Sequence, residues 1–263
     1  MITFASPELS LPDQDHTPFA ACDDEYFRRS KLTASTLAKA ASAPQTWQDI
    51  LRFHGDLATD DFVRYVDGYY RSCVERYGAF WRYMDIVSVL YAAARLVQPR
   101  RYLEIGVRRG RTVCTVARAC PIVDIVGFDL WVENYAGMEN PGAGWVRQEL
   151  NRHGHIGRVE FVTGDSRSTV PACFAEHPDL LFDLITVDGD HSEAGARADL
   201  ENVIPRLAPG GVLVFDDISH PDLPHMFGLW KAITGARPWL DTYEFAEAGY
   251  GVAFAVNRGT GES

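Results

Sequence analysis

Apolar positions along this chain change period near residue 100. From Asp23 to about Gly78 they recur at helical spacing: Trp47, Ile50, Leu51 and Phe53, then Phe62, Val63, Tyr65, Val66, Tyr69 and Tyr70. Asp60 or Asp61 stands where the second of these helices needs an N-cap. Helical period continues from Phe80 to Val97 with a broad apolar face, and Pro99 ends it. Tyr65, Tyr69, Tyr70, Tyr77, Phe80, Trp81 and Tyr83 read as helix-packing aromatics. Residues 1–20 are polar and punctuated by proline, an arm ahead of the helices. From Arg101 the pattern switches to short apolar runs alternating with helical segments. Strands are predicted at Arg101–Ile105, Ile122–Phe128, Val159–Val162, Leu184–Val187 and Val212–Phe215. Helices are predicted at Thr112–Ala119, near Trp145–His153, at Ala194–Leu207 and at Phe227–Thr234. Thr242–Ala246 and Gly251–Val256 read as a closing antiparallel pair around Gly249. Repeated βα units imply an α/β fold with a doubly wound, mostly parallel sheet. The chain divides into an N-terminal arm and helical cap, 1–79, and an α/β domain, 80–263.

Two of the apolar runs end abruptly in acids. Phe182-Asp183-Leu184-Ile185-Thr186-Val187 runs into Asp188-Gly189-Asp190-His191, and Val212-Leu213-Val214-Phe215 runs into Asp216-Asp217. Buried parallel strands that stop at carboxylates open onto the crevice where α/β sheets bind ligands. Four carboxylates brought together need a cation, a shared proton or a basic ligand to offset their repulsion.

Composition narrows the class. Acidic residues outnumber basic ones, 36 to 25, for a net charge of −11, against a nucleic-acid-binding surface. A local basic patch stays open at Arg100-Arg101 and Arg108-Arg109-Arg111. The five cysteines (Cys22, Cys73, Cys114, Cys120 and Cys173) have no metal-binding or CxxC spacing and read as reduced thiols. No run has the length and apolarity of a signal peptide or a membrane span, so a cytoplasmic location is expected.

Tyr102-Leu103-Glu104-Ile105-Gly106-Val107-Arg108-Arg109-Gly110-Arg111-Thr112 is a strand, a glycine turn and a helix start. Gly106 and Gly110 let the backbone turn tightly and come close to a ligand. Glu104 is poised for the loop or a cationic ligand group. Ile125-Val126-Gly127-Phe128-Asp129 follows, a second strand ending in an acid able to accept ribose hydroxyls. Together with the acidic strand ends, this ordered set points to a nucleoside cofactor.

These motifs, with Gly164-Asp165-Ser166 and Pro209-Gly210-Gly211, resemble those of class I S-adenosylmethionine (SAM)-dependent methyltransferases over roughly residues 80–256. Within that superfamily the chain is most similar to the metal-dependent, small-molecule O-methyltransferases of the macrocin and novobiocin sugar type. The resemblance implies a Rossmann-like fold and a cofactor site built from Glu104, Gly106, Gly110, Asp129, Asp165, Ser166 and Asp188. In that site Glu104 and the turn hold the methionine part of SAM, Asp129 the ribose, and Asp165 with Ser166 lies near the adenine. Trp131 either packs on the adenine or packs a lid. The chain departs from the family at Arg108, where many members carry a middle glycine; the departure also breaks the dinucleotide motif G-x-G-x-x-G.

Methyl transfer from a sulfonium needs an in-line approach and a nucleophile that is losing its proton. A divalent cation on the acceptor hydroxyl lowers its pKa, and magnesium prefers oxygen ligands. Asp188, Asp216 and Asp217 match the family's metal ligands, although one of the adjacent pair can instead cap a turn. Either Asp190 or His191 is the base; histidine titrates near neutrality and is the better suited. His220 and His225 follow the metal pair closely enough to face the acceptor. The segment Val132–Trp145, with Tyr135, Met138 and Trp145, has the glycine content of a mobile lid.

The function expected is a SAM- and magnesium-dependent O-methyltransferase acting on a small hydroxylated molecule, a sugar or an aromatic unit of a secondary metabolite. An N-methyltransferase on the same scaffold, a nicotinamide-dependent oxidoreductase and a noncatalytic ligand-binding relative are the rivals. The surplus of N-terminal aromatics suggests a homo-oligomer.

Overall fold

The computed structural model describes residues 32–58, 61–134, 137 and 139–259. The N-terminal arm, the helical reading of 23–31, Asp60, Tyr135 and Met138 lie outside the described residues.

Four helices precede the sheet. Helix α1 (Ala34–Ala41) starts at Thr33, whose hydroxyl accepts from the Thr36 backbone N–H. Helix α2 (Pro44–His54) has proline at its first position and buries Trp47, Ile50, Leu51, Phe53 and His54 on one side. Helix α3 (Asp61–Tyr77) buries Val63, Asp67 and Tyr70, and Asp67 takes up His54 at 3.0 Å. Helix α4 (Ile86–Val97) is buried from Ile86 through Ala94. Phe80–Val97 is therefore not one helix. A single 3₁₀ turn at Gly78–Phe80 leads into extended backbone, and α4 begins only at Asp85. There Asp85 and Ser88 form a reciprocal capping box, which fixes the start where periodicity alone could not.

The sheet then alternates with helices: β1 (Arg101–Ile105), α5 (Arg111–Ala119), β2 (Asp124–Asp129), α6 (Ala143–Arg152), β3 (Val159–Thr163), α7 (Ser166–Glu176), β4 (Phe182–Val187), α8 (Glu193–Val203) and β5 (Leu207–Asp216). Helix α9 (His225–Gly235), β6 (Leu240–Phe245) and β7 (Val252–Asn257) complete it. Helix α7 is absent from the sequence reading because it has no clear apolar period: only Val170 and Phe174 are buried, and Pro171 sits inside it. Strand β5 begins five residues earlier than expected, taking in Pro209-Gly210-Gly211 through a register shift against β4.

Strand order is β3-β2-β1-β4-β5-β7-β6. Strands β1 to β5 are parallel, and β7 is antiparallel to both β5 and β6. The closing pair is present, but the last strand lies inside it, between β5 and β6, and is buried along its whole length. Both faces are covered, which is why the strands read as continuous apolar runs. Tyr102, Leu184, Val212 and Val214 pack on one face with α1, α2, α4 and α5; Leu103, Ile105, Ile185, Val187, Leu213 and Phe215 pack on the other with α8 and α9. Strand order reverses between β1 and β4, which is the switch point outside whose carboxyl ends such sheets bind ligands.

Of the N-terminal aromatics, Tyr70 and Tyr83 are buried and Trp81 stacks on Tyr83 at 5.2 Å, as helix packing requires. Tyr65, Tyr77 and Phe80 are exposed instead, at 77%, 48% and 90%. They fall off the buried stripe of α3 or in the turn that follows it.

Gly106 sits at the crevice with φ of +92°, and a Cβ there would overlap the Asp188 carbonyl. Gly106→Ala is expected to destabilise the protein by about 2–4 kcal/mol, combining left-handed strain with a backbone clash. Urea denaturation checks this; an unchanged midpoint contradicts the close crossing of β1 and β4.

Candidate active site at the carboxyl ends of the sheet

Strand β1 delivers Glu104 and then the turn. Gly106, Arg108 and Gly110 all take positive φ, +92°, +50° and +75°. Arg108 thus adopts the left-handed conformation that glycine takes at lower cost, which accounts for the family's preference at that position. Its backbone N–H donates to Asp129 Oδ2 at 2.7 Å, and the Trp131 N–H donates to Oδ1 at 2.5 Å. Asp129 therefore ties the β1 turn to the exit of β2, and each of its oxygens keeps a lone pair for a further donor. Trp131 meets Phe161 edge-on at 5.7 Å, and its indole Nε1 is buried without a hydrogen-bond partner among the described residues.

Glu104 is fully buried. The Tyr102 hydroxyl donates to one carboxylate oxygen and the Thr112 hydroxyl to the other, at 2.5 Å for Thr112. Burial pushes its pKa up to about 8, the two hydroxyls pull it down, and the charges of Asp188 and Asp129 add to the rise. At the end of β3, Asp165 caps α7 through the Arg167 N–H and holds the Arg167 guanidinium at 2.6 Å, which keeps its carboxyl below the usual range. Ser166 is the first residue of α7. Asp199, not singled out in the sequence, is fully buried on α8, with a pKa raised to about 6 chiefly by burial. The signal was available: it is the lone charge on the stripe formed by Ala196, Leu200 and Val203.

The arginines after the turn form no common basic surface. Arg109 stacks on Trp145 at 4.8 Å and pairs with Glu139 at 3.2 Å. Burial opposes the Arg111 charge, but Tyr70, Asp85 and Asp216 outweigh it and raise its pKa.

The structure brings Asp188, His191 and Asp217 together. One donor atom from each lies within 4.8 Å of the others, a spacing able to hold a metal ion. His191 Nε2 stands 3.2 Å from Asp188 Oδ1 and 3.7 Å from Asp217 Oδ2. The hydrogen bond to Asp188 raises the imidazole pKa, with the charges of Asp188, Asp217 and Asp190 adding and burial opposing. Burial and the Asp188 charge raise Asp217 to about 6. Asp216 stands outside that three-residue group. Burial holds its pKa well above the usual range, and the charges of Asp188, Asp217 and Asp85 add to it. Asp217 takes φ of +61°, so the chain turns sharply between the two acids.

Asp190 and His191 separate clearly. Asp190 is exposed and accepts from the Ser192 N–H at 2.9 Å, ahead of α8. His191 faces the acids, and His225 Nε2 lies 2.8 Å from its backbone carbonyl. His220 packs on Tyr250 with ring centroids 4.2 Å apart, and the Ser219 N–H donates to the Tyr250 carbonyl at 2.6 Å. The β6–β7 loop is thereby fastened beside Asp217.

Residues 103–218 match a family described as a methyltransferase domain. Over that stretch the chain resembles methyltransferase domains, and its sheet has their Rossmann-like fold. Among its relatives, protein y4gI of Sinorhizobium fredii is 28% identical over 150 residues, 55% of this chain and 16% of that one. The 8-demethyl-8-(2,3-dimethoxy-alpha-L-rhamnosyl)-tetracenomycin-C 4'-O-methyltransferase of Streptomyces olivaceus is 37% identical over 73 residues, 27% of this chain and 26% of that one. The chain thus spans only 16% and 26% of the length of these two relatives. The O-methyltransferase TomG from Streptomyces achromogenes, solved in complex with SAM, superposes with a TM-score of 0.54 at 20% identity, covering 82% of this chain and 99% of that one. At that identity the likeness is one of fold. No helix among the described residues is long and apolar enough to cross a membrane. The four described cysteines of the methyltransferase domain and its helical cap are free thiols.

The pairing of His191 with acids has a measurable sign. Its raised pKa favours folding below the ordinary histidine value near 6.5, and that contribution fades as pH rises through the folded-state value. In metal-free protein, Asp188→Asn is expected to lower the His191 pKa, read from its ring-proton NMR titration. A midpoint unmoved by the substitution contradicts the Asp188–His191 contact.

Proposed function

We propose that the protein transfers the methyl group of SAM to a hydroxyl of a small molecule, with a divalent cation, magnesium, held at the acidic strand ends. The observation that carries this reading is the Asp188–His191–Asp217 cluster beside the β1 turn, at the switch point of a methyltransferase sheet. The named activity of the Streptomyces olivaceus relative, O-methylation of a rhamnosyl unit, favours a sugar hydroxyl or a similar polyol as acceptor.

The residues fit the cation. Asp188 and Asp217 supply hard oxygen donors at the required spacing, and Asp216, adjacent in sequence, adds a third carboxyl whose ionisation a cation would favour. When bound, such an ion lowers the pKa of a coordinated hydroxyl and fixes its position. His191, whose Nε2 stands between Asp188 and Asp217, would serve as the base that takes the proton of the acceptor. Asp190 accepts from the N–H of Ser192, the N-cap of α8, and serves to brace that helix start rather than as a base. Asp129 holds the ribose with the lone pairs left by its two backbone donors. Glu104 and the Gly106–Gly110 turn hold the methionine end, and Trp131 walls the adenine side. Tyr250 and His220, fastened beside Asp217, flank the acceptor.

Calorimetry and turnover test the scheme. SAM is expected to bind wild-type protein, and Asp129→Ala to weaken it by about 1–3 kcal/mol, the usual cost of lost hydrogen bonds to a charged group. EDTA is expected to abolish methylation of a sugar-hydroxyl panel read by mass spectrometry, and magnesium to restore it. Asp217→Ala should lose metal while retaining SAM. His191→Ala should keep both and slow turnover by roughly 10²–10⁴-fold. Full activity in chelated enzyme removes the metal from the reading; loss of activity in Asp190→Ala with His191→Ala intact moves the base to Asp190.

A further inference from the structure

Beneath the β1 turn lies a carboxyl group that no cation among the described residues neutralises. Glu104 is fully buried, and it accepts from two hydroxyls: Tyr102 on its own strand and Thr112 on α5. The Tyr102 hydroxyl also lies 2.9 Å from Thr186 on β4, so the three elements around the turn are joined through this group. The charged neighbours make the position worse for a carboxylate. Asp188 from β4 and Asp129 from β2 are both acids, and the nearby Cys114 thiol on α5 is itself held neutral by burial. Among the described residues, no lysine, arginine or histidine pairs with Glu104 by ion pair or hydrogen bond. A buried carboxylate with acids for neighbours keeps its proton, because ionisation there has neither solvent nor a counter-charge to stabilise it.

SAM brings the missing charge. Its methionine end carries an ammonium group and its sulfur is a cation. We infer that SAM binds with the release of one proton, given up by Glu104 as the cofactor's ammonium group takes its place against the Tyr102–Glu104–Thr112 cluster. The balance is simple: protonated enzyme and cationic cofactor give a carboxylate–ammonium pair and one proton in solvent. Tyr102 is a positioning residue in this exchange, since its hydroxyl donates to the carboxylate that remains. The inference rests on reading Glu104 as the acid under the methionine end, and it adds that cofactor affinity follows pH.

The test is calorimetric titration of EDTA-treated protein with SAM at pH 7, in buffers of different ionisation enthalpy. The dependence of the observed heat on buffer gives the number of protons released, expected close to one for a group titrating at about 8. SAM affinity is expected to rise about tenfold per pH unit from pH 6 to 7.5, below the range where the cofactor's own amine titrates. 5′-Methylthioadenosine, which keeps the nucleoside and thioether but lacks the amino-acid end, should bind with no linked proton. Glu104→Gln should bind SAM more weakly and release none. Tyr102→Phe should move the pH dependence of affinity to higher pH, because the carboxylate loses a donor; a role confined to packing would lower affinity equally at every pH. SAM binding without proton release overturns the inference while leaving the cofactor site standing. Release that persists in Glu104→Gln, or that 5′-methylthioadenosine also produces, assigns the proton elsewhere and overturns it too. No SAM binding in the wild type removes the cofactor reading and the inference together.

Discussion

Everything at the crevice depends on how closely β1 and β4 meet as they leave the sheet. The Asp188 N–H donates to the Ile105 carbonyl at 2.9 Å, and the Gly106 N–H donates to the Phe128 carbonyl at 2.9 Å. Three strands are thus clamped at one level by backbone hydrogen bonds, with no room for a side chain at the centre. That clamp sets where Glu104, Asp129 and Asp188 stand relative to one another. A turn with a Cβ at its first position would push β1 and β4 apart and separate Glu104 from Asp188.

Around the clamp the acids differ in their surroundings. Glu104 and Asp216 favour their neutral forms, Glu104 fully buried between two hydroxyls, while Asp129 and Asp190 each accept from the backbone and Asp188 faces an imidazole. Arg111, set between Tyr70, Asp85 and Asp216, joins the N-terminal helices to this arrangement, so the cap belongs electrostatically to the site and not only to its packing.

Much of this was legible in the sequence, for identifiable reasons. Strands β1, β2 and β4 announce themselves because burial on both faces leaves unbroken apolar runs, and the acids at their ends stand out against those runs. His191 and Asp217 were visible as residue types at strand ends. Their meeting was not, because it depends on the left-handed turn at Asp217, which no residue preference announces. Helix α7 was hidden by Pro171 and by a buried stripe of only two residues. The start of α4 was misplaced because Tyr83 and Met84 are buried in extended backbone, and burial is what apolar spacing reports. Asp190 and His191 look alike in the sequence because what distinguishes their surroundings is local: Asp190 accepts from the Ser192 N–H, and His191 faces Asp188 and Asp217.

Strand β7, seated between β5 and β6, has a bearing on how the molecule is assembled. Until Val252–Asn257 is in place, β5 has an unpaired edge running up to Asp216, and β6 has no neighbour at all. The parallel strands can pair as each emerges, but the strand that covers β5 is the last of the seven in the chain, and it brings β6 with it. Before that step the edge of β5 is open to pairing with another chain. Asp216, which pairs with Val252, is therefore fixed late, when the β6–β7 hairpin docks.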